Sequence, residues 1–138
     1  MKKTVEAWVE FADADLLTVS EIAGRPELTN IAAFHCQQAI EKYFKALILE
    51  AGKPLPKIHN LLTLYGSVKE ITDLGLDENL LATINDVYLD SRYPGEVGLV
   101  NGVKPTIELA DSFFSFAKEV EVKIKDELSK VQTLTDNQ

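Results

Sequence analysis

The segment from Phe34 to Leu49, FHCQQAIEKYFKALIL, contains no glycine and no proline, and its apolar residues recur at helical spacing. Wound at about 100° per residue, it places Ala33, Cys36, Ile40, Tyr43, Phe44, Leu47 and Ile48 on one broad face. His35, Gln38, Lys42 and Lys45 fall together on another face. Gln37 lies inside the apolar arc. One helix therefore both fills a core and carries an imidazole, an amide and two ammonium groups. A chain built around it must bring further helices to the apolar face.

Those helices are legible on either side. Trp8, Phe11, Ala12, Leu16, Val19 and Ile22 make a stripe over a first helix, Thr4 to Ala23, with Asp15 inside it. A carboxylate there needs a partner. It either fixes packing or orients a basic residue, and a polar link from Asp15 to Gln37 on the second helix is expected. Gly24-Arg25-Pro26 ends the first helix, and Thr29 or Asn30 caps the second, which runs to about Ala51. A third helix begins near His59 or Asn60, with His59 as a capping group. A fourth runs from an Asp77 cap to about Leu89. After a glycine-rich connection, Pro105 opens the last helix, with a stripe from Ala110 to Val131. No strand pattern competes. The expectation is one all-α domain over 4–131, an antiparallel up-and-down bundle of four to five helices, with 132–138 as a flexible tail.

Composition removes several classes. No apolar run reaches about 18 residues, so no membrane span is expected. The N-terminal segment turns acidic and amphipathic at once, unlike a signal peptide. Cys36 is the single cysteine, which excludes an internal disulfide and fits a cytoplasmic protein. His35 and His59 have no ligand at helical metal spacing, so no metal and no cofactor is expected. The net charge of −8 is unlike that of a general nucleic-acid binder. Yet residues 29–69 carry five lysines against two glutamates, while residues 70–103 carry seven acids against Arg92 alone. An anion would therefore prefer the region of the central helix. The candidate ligand or phosphate site is His35, Gln38, Lys42 and Lys45, joined by His59, Arg92 and the stacking ring of Tyr93.

The run FHCQQAIEKYFKALI, followed by His59-Asn60-Leu61 and then Ser91-Arg92-Tyr93-Pro94, resembles the HEPN domain, the "higher eukaryotes and prokaryotes nucleotide-binding" family, over roughly residues 4–130. The resemblance implies a helical bundle that homodimerises, linked to nucleotide or RNA chemistry. It also implies a nucleotidyltransferase partner in a toxin–antitoxin-like pair. HEPN ribonucleases carry an Arg followed by four to six residues and a His. Arg92 matches that Arg, but Val97, Gly98 and Leu99 occupy the His positions, and no His follows. The expected function is therefore binding rather than cleavage, with no catalytic residue assigned. A degenerate ribonuclease toxin and a pure protein–protein homodimer are the alternatives. Phe113, Phe114 and Phe116, with Phe116 off the main stripe, motivate the dimer.

Overall fold

The computed structural model describes residues 2–89 and 95–136, with side chains through 130. Five α-helices are described, in the order α1 (Lys3–Ile22), α2 (Thr29–Glu50), α3 (Leu61–Lys69), α4 (Glu78–Asn85) and α5 (Ile107–Asp136). α2 is the axis, packing against α1, α5, α3 and α4. Cys36, Ile40, Tyr43, Phe44, Leu47 and Ile48 are buried on it. No β-strand occurs among the described residues, only isolated bridges joining Val87 to Val100 and Val100 to Val103.

Local chemistry explains most helix ends. Asn60 caps α3 by accepting from the backbone N–H groups of Leu62 and Thr63, and Asp77 caps α4 in the same way from Asn79 and Leu80. The cap of α3 is thus Asn60, not His59. α2 has no side-chain cap, because a 3-10 turn over Pro26–Leu28 feeds directly into it and Thr29 is already helical. α4 stops at Asn85 rather than near Leu89, since the backbone of Tyr88 pairs with Leu99 and Gly98 instead. The helical backbone of α5 continues to Asp136, into the segment whose composition suggested a tail.

The core joins all five helices. Phe44 stacks on Tyr65 of α3 with ring centroids 5.6 Å apart. The hydroxyl of buried Tyr43 donates to Asp13 on α1, and Lys125 on α5 reaches Asp13 at 3.0 Å and Glu121 at 2.8 Å. Burial, then the Asp13 hydrogen bond, pushes the Tyr43 phenol well above its usual range. Phe113 and Phe116 are both buried within the one chain, while Phe114 is half-buried with Lys118 over its ring. Exposed apolar side chains lie elsewhere, at Phe11 and Leu17 of α1 among others.

Candidate functional site

α1 and α2 build a shared polar seam. Trp8, Phe11 and Asp15 recur at three- and four-residue spacing on α1, so they face α2 in a row. α2 answers with His35, Gln38, Glu41, Lys42 and Lys45. The buried Asp15 carboxylate accepts from two donors: His35 Nδ1 lies 2.8 Å from Oδ1 and Lys42 Nζ lies 2.6 Å from Oδ2. The Lys42 ammonium stands 5.9 Å from the centre of the Phe11 ring.

A second unit repeats the arrangement. Buried Glu41 accepts from Lys45 Nζ at 3.2 Å, and His59 Nδ1 lies 3.1 and 3.2 Å from its two oxygens. Lys45 Nζ stands 5.1 Å over the Trp8 ring. In each unit a carboxylate bridges a lysine and a histidine, and an aromatic ring of α1 sits against the lysine. Two carboxylates face two ammonium groups, so the lysine charges are balanced across the seam.

The structure thus brings the candidate residues together in two groups. His35 and Lys42 meet on Asp15, while Lys45 and His59 meet on Glu41. Gln38 donates to the neighbouring Gln37 at 2.7 Å. The expected Asp15–Gln37 link is not formed. Two residues along a helix turn it by about 200°, so a group that reaches His35 cannot also reach Gln37. The Nε2 of Gln37 is buried without a partner among the described residues. Arg92 and Tyr93 lie outside the described residues.

Glu41 is absent from the site expected from the sequence. The signal was its lysine four residues on, Lys45, which marks an ion pair on one helix face. The roles of Trp8 and Phe11 were also missed. Both sit on the α1 stripe, and Phe11 is 64% exposed at its edge. No group of three or more His, Cys, Asp or Glu side chains suited to a metal occurs among the described residues.

The loop after α4 docks on the start of α2. Asn30 Nδ2 donates to the carbonyl of Val97 at 3.0 Å. Gly98 lies beside it with φ +80°, and a Cβ there would stand 1.7 Å from the Asn30 carbonyl oxygen.

A central helix whose His35, Lys42, Glu41 and Lys45 pair with Asp15 of α1 and with each other and His59 invites comparison with known families. The family model described as HEPN domain matches residues 5–126. The chain belongs to the HEPN family. A comparison with curated proteins finds no match. The crystal structure of an archaeal HEPN homologue superposes with a TM-score of 0.63 at 21% identity, covering 93% of this chain and 99% of that one. At that identity the likeness shows the HEPN fold alone. Within this HEPN bundle, the ribonuclease His positions 97–99 include one, Gly98, whose space is filled by the Asn30 backbone.

Proposed function

We propose that this HEPN domain is a non-catalytic interaction module. It homodimerises through the α1–α2 face and offers that dimer to a nucleotidyltransferase partner in a two-component, toxin–antitoxin-like pair. One observation carries the reading: the lysines Lys42 and Lys45 are already paired to buried carboxylates on a seam edged by exposed Phe11. A phosphate arriving there would have to displace a carboxylate. A protein surface can cover the seam without stranding an unpaired charge. In a chain of net charge −8, a neutral face is also where two copies approach with least repulsion. The missing His at 97–99 leaves no general acid or base at the ribonuclease position.

The test has two arms. Incubated with total RNA in EDTA, the purified protein should leave the RNA intact, and cleavage that disappears in Arg92→Ala would overturn the non-catalytic reading. Co-purification with the nucleotidyltransferase should be lost in Phe11→Glu.

A second reading, an anionic nucleotide or RNA ligand, draws support from the surplus of lysine over acid in residues 29–69. Arg92 would neutralise phosphate and Tyr93 would stack on a base, with His35, Gln38, Lys42 and Lys45 completing the polar contacts. Binding that weakens steeply with salt and vanishes in the Lys42→Ala, Arg92→Ala double variant would favour it.

A further inference from the structure

A carboxylate only accepts hydrogen bonds, so the His35 nitrogen facing Asp15, Nδ1, carries the hydrogen. The lone pair of the neutral ring then lies on Nε2. That atom has no hydrogen-bond partner among the described residues, and the side chain as a whole is partly exposed. The ring stands on the most buried helix of the bundle, T-shaped against Phe34 with centroids 5.2 Å apart, so its orientation is fixed. Lys42 shares the same carboxylate at 2.6 Å and keeps part of its side chain in water. A carboxylate behind the ring, an open nitrogen in front and an ammonium alongside prepare a nucleophile for an anionic electrophile.

We infer that His35 is a phosphoryl-acceptor site. The donor class is an activated phosphoryl compound: an acyl phosphate, a phosphoramidate or a nucleoside triphosphate. The Nε2 lone pair forms the new N–P bond, and the bond from phosphorus to the leaving group breaks. The leaving group departs with that electron pair. The hydrogen on Nδ1 stays on its bond to Asp15, whose negative charge offsets the cationic ring. Lys42 stays on Asp15 beside the ring, where its charge offsets part of the incoming phosphoryl charge. The product, Nε2-phosphohistidine, adds a charge of about −2 to a neutral seam. A copy docked over the α1–α2 seam shields this ring, so the reaction belongs to the undocked chain.

His59 has its own carboxylate and lysine, so it serves as an internal comparison that differs in exposure and in where the ring is held. Its side chain is 74% exposed, against 25% for His35, and it sits in a connector rather than on a helix. If exposure alone set the rate, His59 would react first. The experiment treats the full-length protein, unaltered and as the single-chain Phe11→Glu variant, with phosphoramidate and maps the phosphoryl group by 31P NMR and peptide mass spectrometry. In the single chain, His35 is expected to be labelled at least as fast as His59. Asp15→Asn lets an amide N–H face Nδ1 and moves the ring hydrogen to Nε2, so it should slow His35 labelling about tenfold while leaving His59 unchanged. Labelling of His59 without His35 in the Phe11→Glu chain, or an unchanged His35 rate in Asp15→Asn, would overturn the assignment. Should Asp15→Asn not fold, the ratio of the two histidines in the Phe11→Glu chain decides.

Discussion

Asp15 holds a lysine and a histidine at once in a place where water is scarce, and its removal strands both. Asp15→Asn leaves Lys42 facing a neutral amide, whereas Lys42→Met leaves Asp15 still bonded to His35. Breaking a fully buried pair costs several kcal/mol, and partial access of Lys42 to water reduces this. Urea denaturation should show a loss of about 2 kcal/mol for Asp15→Asn and about 1 kcal/mol for Lys42→Met. Equal losses would mean that the carboxylate does not bridge. Cys36 sits nearby, and burial, followed by the negative Asp15, raises its thiol from 9.0 to about 12. A group that ionises more readily once unfolded adds stability below its unfolded value. That contribution is present below pH 9.0 and fades as pH rises toward about 12. Native protein at pH 8 should therefore resist thiol reagents that label it fully in denaturant, and Cys36→Ser should flatten the alkaline loss. At this scale the sequence wheel identified Asp15 as a carboxylate needing a partner but paired it with the wrong residue. Helical phase orders the residues of one helix; it does not say how two helices are rotated against each other.

The elements were easier to anticipate because their signals are local. The stripe of α1, the unbroken run of α2 and the caps Asn60 and Asp77 all act within a turn of themselves. Replacing Asn60 with Ala should cost about 1 kcal/mol, read by thermal unfolding, since two backbone donors lose their acceptor. What the pattern misplaced was the end of α4, decided by a contact distant in sequence. Val87 and Tyr88 leave the helix to pair with Val100, Leu99 and Gly98, and Asn30 anchors that loop from α2. Gly98 makes the anchoring possible. Gly98 and Gly24 have matching backbone angles, φ +80° and +81°, but only Gly98 abuts another backbone. Gly24→Ala should cost about 1 kcal/mol from its φ alone. Gly98→Ala must also move Asn30, so its loss should exceed that of Gly24→Ala by about 2 kcal/mol or more. Parity between the two in chemical denaturation would show that the loop does not rest on α2.

For the whole molecule, charge and apolar surface pull against each other. A net charge of −8 keeps copies apart, while exposed Phe11 and Leu17 give them something to bury. In the proposed dimer, the charge-paired seam of α1 and α2 beside Phe11 is where both demands meet. The all-helical HEPN bundle was readable from periodicity and motif, because both follow from the order of residues along the chain. The placement of apolar surface was not, since Phe116 turned inward and Phe11 outward for reasons of packing. No described helix is long and apolar enough to cross a membrane. The most direct measurement is the mass in solution by light scattering at micromolar concentration, for the unaltered protein and for Phe11→Glu. The account predicts twice the 15.3 kDa chain mass for the first and a single chain for the second. A single-chain mass for the unaltered protein, or a dimer that survives Phe11→Glu, would contradict it.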